Sequence, residues 1–529
     1  MANDAGLFAF YDPISGMYSD QHGQYIGNFS QALVTATGGI TPRTIASRFG
    51  EIINIKDFGA VCDGITNDSL AFEAAFEKLG ILGGTVEIPY NAKCLIDTAL
   101  TVPSGISIIG PRRFLGTPGN NLSNPYNNLG GSLIINPLVS ISLSSGSGIS
   151  GCLIYRKGIT FPSVDSILFS GTAITGINDD YFVVDSMILG FNKAIYSTGV
   201  QRPRLMNLYL DNNNGIEIAN CTDICRIENV HAWPFVTING AISHVGLERP
   251  GTAISLHDVA DYTKITNCFT YGYSIGFNVF NASSVIFIGC AADNTSTGVS
   301  IYQNIDSTGF KITGPTTWSC RLIGCQSSAQ ELYGIYVDVS TGNSVRISGS
   351  HISFNNQHGI YVNSGDVMVG GSSIINNCNI NGISINNVAS RVTIDNSVRM
   401  EANAVPINAI VATSEIYIDR PELVYANGSA LYSGINWTVK SIASIDPLPL
   451  PTMGNAFRVT GTTSFGLISG GWPGRTIRLL FSGVLTLFSS TGSVAAMRLS
   501  GAANYVSSNG SSITLMHDGN QWYEIGRSA

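Results

Sequence analysis

The chain has 529 residues, more than one compact core usually holds, so several domains or one long solenoid are expected. Only 12% of the residues are charged, the net charge is −8, and no basic tract interrupts the sequence, which argues against a nucleic-acid partner. No uninterrupted apolar run is long enough to span a bilayer, so membrane insertion is not expected. Fifty-nine glycines suit the turns of a β-rich solenoid with a neutral, polar surface. Such a surface fits a neutral or well-spaced anionic polysaccharide.

The N-terminus, Met1-Ala2-Asn3-Asp4, lacks a basic region followed by an apolar one, so no signal peptide is expected there. Residues 1–50 are turn-rich and read as a neck or attachment segment. Within it, Thr44 to Phe49 is expected to form a short helix. A strand follows from Ile53, then the turn Asp63-Gly64. Thr66, Asn67 and Asp68 can cap a helix near 68–79 whose apolar face is Leu70, Phe72, Ala75, Phe76 and Leu79. Gly83-Gly84 ends it, and Thr85 to Pro89 returns to strand. A solenoid must cover its open end, and a helix folded over the first coil does this.

One phrase then returns along the chain, a glycine followed by alternating apolar residues. It reads Gly215-Ile216-Glu217-Ile218, Gly298-Val299-Ser300-Ile301, Gly334-Ile335-Tyr336-Val337, Gly359-Ile360-Tyr361-Val362 and Gly382-Ile383-Ser384-Ile385. Gly276-Phe277 fits, and Ala253-Ile254-Ser255-Leu256 is a near copy. From Ala253 the starts step by 23, 22, 36, 25 and 23 residues. A period of this length means one coil per repeat, and alternation at period two means that the coil is β-structure. Two turns are lengthened, one through His231-Ala232-Trp233-Pro234-Phe235 to Glu248-Arg249-Pro250, the other from Asn304 to Ser319. Cys268, Cys290 and Cys325 recur at nearly one position per coil and read as small buried thiols. With no CxxC pair among the ten cysteines and no His cluster, neither a metal nor a cofactor is expected. From about residue 421 to 529 a meander of short strands forms a third part.

The run Ile53, Asp57-Phe58-Gly59-Ala60, Asp63-Gly64, Thr66-Asn67-Asp68 and Gly83 to Pro89 resembles the opening of the pectate-lyase-like, right-handed β-helix superfamily, and most closely the tailspikes of bacteriophages. The Thr44 to Phe49 segment resembles the neck of such a protein. The resemblance covers the neck, the cap and the coils to about residue 400. It implies an all-β chain: a neck at 1–50, a capped parallel β-helix at 51–420, and a C-terminal β-domain at 421–529 used for trimerisation or binding. It further implies a homotrimer on the virion, attached through its N-terminus to a phage tail or baseplate protein. Such a protein is expected to bind a bacterial surface polysaccharide, O-antigen or capsule, and to depolymerise it as an endo-acting glycoside hydrolase. Asp57, Asp63 and Asp68 belong to this structural motif and read as turn and cap residues.

Hydrolysing a glycosidic bond takes two carboxyls ~5–9 Å apart, and neighbouring coils stack at ~4.8 Å. Aligned on their glycines, Asp293 and Glu331 fall on adjacent coils at nearly the same turn and form the first catalytic candidate. His358, on the next coil, and Tyr271 and Tyr273, on the coil before, are candidates for binding substrate. Asp293 also fits a ladder of turn residues with Asn355, Asn356, Asn376 and Asn379, whereas Glu is a poor turn residue. A second group, Glu228, His231, Glu248, Asp258 and Asp261, surrounds the long turn with Trp233, whose ring could stack on a sugar or pack the loop base. From it Glu228, Asp258 and Asp261 are second choices for catalysis. A polysaccharide lyase and a glycan-binding adhesin that does not cut are the rival readings.

Overall fold

The structure, a computed structural model, describes residues 10–12, 17–19, 33–35, 38–45, 47, 52–111, 131–159, 169–235, 248–259, 261–294, 306–387, 389–395, 397–409, 415–418, 432–433, 440–451 and 455–528. Two compact units divide the chain, Met1–Gly434 and Ile435–Ala529.

The first unit is a parallel β-helix. Its strands join two long sheets, one of 24 strands and one of 13. Each coil places two short strands in the larger sheet, here called its first and second arms, and one longer strand in the smaller sheet. One coil runs through Ile286–Ile288, Ala291–Asp293 and Thr308–Gly314, and each strand pairs in parallel with its counterpart one coil on.

The corner between the two arms follows from local chemistry. Asp185, Asn207, Asn229, Asn267, Gly289, Gly324, Gly349 and Gly371 stack there, all with positive φ. Glycine, and less readily Asn and Asp, adopts this left-handed conformation. The Asn207 amide donates to Asp185 Oδ1 at 2.8 Å and the Asn229 amide to Asn207 Oδ1 at 2.9 Å, so the side chains tie successive corners. Just past the corner, Cys268, Cys290 and Cys325 occupy equivalent buried positions.

The recurring glycine has a packing reason. Gly276, Gly309, Gly334, Gly359 and Gly382 stack in the smaller sheet. A Cβ on Gly334 would come within 2.6 Å of the Gly359 carbonyl oxygen, and one on Gly359 within 2.6 Å of the Gly382 oxygen. The residue after each glycine points inward, giving the buried column Ile216, Ile254, Phe277, Phe310, Ile335, Ile360 and Ile383. The Phe277 and Phe310 rings stack at 4.7 Å.

Two sequence expectations change here. The glycine in register with Gly276 and Gly334 is Gly309, whereas Gly298 lies outside the described residues. The expected turn from Asn304 to Ser319 is interrupted by the strand Thr308–Gly314, so the long connection ends before Thr308. Of the helix expected at 44–49, Ile45 and Ser47 are helical and Thr44 ends a short strand, while residues 46, 48 and 49 lie outside the described residues.

The cap is a helix over Ser69–Leu79, packed on the strands Gly84–Glu87 and Leu100–Val102. Phe72, Ala75, Phe76 and Leu79 are buried, but Leu70, expected on that face, is 72% exposed. The Asp68 carboxylate accepts from the backbone N–H groups of Val61, Cys62 and Leu95, holding the cap to the coil.

The second unit has its own core, which includes Phe457, Leu479, Phe481, Leu515 and Trp522. The strands Lys440–Ala443, Ala456–Thr460 and Thr476–Phe481 pair in parallel, and Ser512–His517 and Trp522–Ser528 form an antiparallel hairpin. The expected meander is therefore confined to its end, because parallel neighbours require crossover connections.

The glycine ladder generates a prediction. Gly334→Ala forces backbone of two coils apart and is expected to destabilise the protein by about 1–3 kcal/mol. Chemical denaturation measures this, and an unchanged midpoint would refute the proposed contact.

Candidate functional site

On one side of the solenoid the second arm hands the chain to the smaller sheet. Alternation within the second arm turns Tyr271, Asp293 and Ser328 outward in one row, while Thr270, Ala292 and Ser327 point inward. Trp233 follows the strand Arg226–Ala232 in the preceding coil. Glu248 precedes the strand Arg249–His257 on the same side, and Glu331 lies between the strands Gln326–Ser328 and Tyr333–Val339. The register places Asp293 and Glu331 on adjacent coils, as expected, although the glycine that aligns them is Gly309.

Glu248 belongs with them. Its turn is three coils from that of Glu331, ~14 Å along the axis at the strand spacing. Burial, and then the Glu331 charge, nevertheless hold the Glu248 carboxyl up at about 7. Asp293 lies on an intervening coil, and burial raises its carboxyl as well. Burial and the Asp293 charge push the Tyr271 hydroxyl up. Three carboxyls thus share one half-buried strip, with the first titrating near neutrality. In the sequence Glu248 groups with the residues around the Trp233 turn, and its partner across three coils leaves no local signal.

The backbone holding Glu248 is anchored from below. Arg249 and Asp211 are both fully buried, and Arg249 Nε donates to Asp211 Oδ1 at 2.7 Å. Its Nη1 donates to the Glu248 carbonyl oxygen at 3.1 Å, and its backbone N–H to Gly272 O at 2.6 Å. The guanidinium lies 5.1 Å from the centre of the Phe169 ring. Glu331 is held differently. Its N–H donates to Ser307 Oγ at 2.7 Å, and the Asn356 amide donates to Glu331 Oε1 at 2.8 Å. The Asn379 amide donates in turn to Asn356 Oδ1 at 2.8 Å. Glu331, rather than Asp293, therefore heads the ladder of turn amides.

At one end of the strip Trp233 is half-buried, stacked on His231 and edge-on to Tyr271 at 6.1 Å. It packs against the cluster of Leu153, Phe169, Met187, Leu189 and Phe235, so it supports the base of the turn. At the other end His358 stacks on Tyr333 and lies beside Tyr361. Burial lowers its pKa to about 4, so it is neutral at physiological pH.

Four expected site residues fall elsewhere. Tyr273 is only 2% exposed, and its hydroxyl accepts from the Asn212 N–H at 3.4 Å. The reason is Gly272, whose φ of 76° breaks the alternation that would have kept Tyr271 and Tyr273 on one face. Asp258 and Asp261 are exposed left-handed turn residues beyond the far end of the nine-residue strand Arg249–His257, ~25 Å from Glu248. Glu228 is exposed on the outer face of the first arm.

No family model matches the chain, and no curated protein matches it. Solved structures do. A mannuronan C-5 epimerase A-module from Azotobacter vinelandii is 13% identical, covers 72% of this chain and 96% of its own, and has a TM-score of 0.42. A GH87 α-1,3-glucanase catalytic domain in complex with nigerose is 13% identical, with 71% and 68% coverage and a TM-score of 0.46. The catalytic unit of a GH87 α-1,3-glucanase from Streptomyces thermodiastaticus is 12% identical, with 73% and 69% coverage and a TM-score of 0.36. No reaction or ligand passes from these proteins to this chain at that distance.

The raised Glu248 carboxyl carries a stability cost with a defined sign. Its folded-state pKa of about 7 lies above the unfolded value of ~4.3. Ionising it therefore costs nothing below about pH 4 and its full amount above about pH 7. Glu248→Gln is expected to match the parent at pH 4 and to melt roughly 1–2 °C higher at pH 8. Equal melting temperatures at both values would contradict the burial and repulsion assigned to Glu248.

Proposed function

We propose that this chain is an endo-acting glycoside hydrolase that cuts a polysaccharide along the strip bearing Glu248, Asp293 and Glu331. The observation that carries the reading is the Glu248 carboxyl, held up at about 7 beside the Glu331 charge. A carboxyl whose surroundings keep it protonated near neutrality can serve as the acid of a catalytic pair. Glu248, whose side chain reaches along the strip far enough to feel the Glu331 charge and so narrows the ~14 Å between their turns, is protonated near neutrality and donates its proton to the glycosidic oxygen. Glu331, steadied by Asn356, supplies the carboxyl that faces the sugar and activates water or attacks. Asp293, on a coil between them, contacts the sugar beside the bond that breaks. The strip supports hydrolysis over elimination, because a lyase must neutralise a uronate and these side chains are acids.

The motif at 53–89 adds the biological setting: a phage tailspike, a homotrimer on the virion, acting outside the host on O-antigen or capsule. Its N-terminus attaches to the tail or baseplate.

Three outcomes test the chemistry. The unmodified protein is expected to shorten host surface polysaccharide and release reducing ends. Glu248→Gln and Glu331→Gln should each lower the rate ~100-fold or more, and Asp293→Asn should lower it as well. Product with unsaturated-uronate absorbance would instead establish a lyase, and binding without shortening would establish an adhesin. Separately, light scattering should give three times the chain mass, and a monomeric mass would contradict the trimer.

A further inference from the structure

The outer face of the first arm carries a second feature, far from the carboxyl strip in the coil's outline. Arg204, Arg226, Lys264, Ile286, Arg321 and Arg346 stand in one register row, each paired with the next, and Met368 continues it. The inward residues on either side, such as Ile227, Ile265, Leu322 and Ile347, are buried, so all five cations point outward and are exposed. In a chain with eight more acids than bases, five cations stacked on six successive coils are a concentration that composition does not foretell. Like charges directly opposite on neighbouring strands repel. Among the described residues no carboxylate forms an ion pair with any of the five, although Arg204 lies over the Phe182 ring. Nearby acids are few. Glu228 shares the face, two residues beyond Arg226, and Asp179, Asp180 and Asp223 beside the upstream end are bonded by Arg202.

We propose that this row is a binding surface for a linear acidic polysaccharide, separate from the carboxyl strip. Cations repeat along it at ~4.8 Å, with one step of two coils between Lys264 and Arg321. A straight, rigid row of that pitch tracks an extended chain with an anion on each sugar or every second one. The adjacent outward row, Met206, Glu228, Thr266, Ile288, Ile323 and Ser348, holds no aromatic ring. It offers aliphatic surface rather than the row of rings on which single-stranded nucleic acid stacks its bases, and the exposed rings flanking the cations, Tyr262 and Trp318, stand singly on the upstream side.

The inference does not rest on the catalytic reading, because its test reads binding alone. Polygalacturonate is the probe, with neutral dextran and a single-stranded DNA oligonucleotide as comparisons, each titrated against the full chain. Polygalacturonate should bind at 50 mM NaCl and weaken at least tenfold at 300 mM, as screening dictates. The triple variant Lys264→Gln, Arg321→Gln, Arg346→Gln alters exposed positions only and should lose tenfold or more. Lys311→Gln, in the smaller sheet, should bind as the parent does. The proposal falls if the triple variant binds unchanged while circular dichroism shows it folded. It falls equally if dextran binds as well, if DNA binds more tightly than polygalacturonate at the same salt, or if no polyanion binds.

Discussion

Everything described rests on one constraint: each residue of a coil lies a strand spacing from its counterpart in the next, and the backbone bonds of the sheets enforce that register. A residue is consequently selected for stacking on its own kind. Glycine recurs where carbonyls of the next coil crowd in, left-handed Asn or Gly recurs at the corner, and isoleucine or phenylalanine recurs inside. Ladders form without any long-range design, because the same local demand repeats.

The carboxyl strip departs from that uniformity. Along the second-arm turns, Glu248 and Asp293 stand where burial disfavours their charge, and Glu331 heads a column that continues as asparagine. Buried charge is costly unless paired. The Arg249–Asp211 pair accepts that cost directly beneath the strip, fixing the backbone at the residue after Glu248. The strip is thus a local conflict held in place by a framework whose other positions are satisfied.

How much of this is legible in the sequence depends on whether the signal is local. The glycine phrase reveals a β-solenoid because each copy is contiguous, and the motif at 53–89 locates the cap. The pairing of Asp293 with Glu331 is within reach, being a step of one coil. Glu248 is not, since its partner is three coils away and a long connection intervenes. Tyr273 misleads because a single left-handed glycine just before it reverses its facing. Gly309 escapes notice because its phrase carries a lysine outward, while an unrelated Gly298 matches the pattern better. The basic row is illegible for a plainer reason: its members sit at least one whole coil apart in sequence, and only the register unites them.

The contact between each recurring glycine and the carbonyl of the next coil has a consequence for how such a chain can change. Coils can be gained or lost whole, since each new one meets its neighbours through the same contact, but they cannot slide by a fraction. Separations between groups on different coils therefore come in fixed increments, like teeth on a rack. Any finer adjustment of reach falls to the side chains, where aspartate and glutamate differ by one methylene. A glutamate at each outer turn and an aspartate between them is the arrangement such a rack favours.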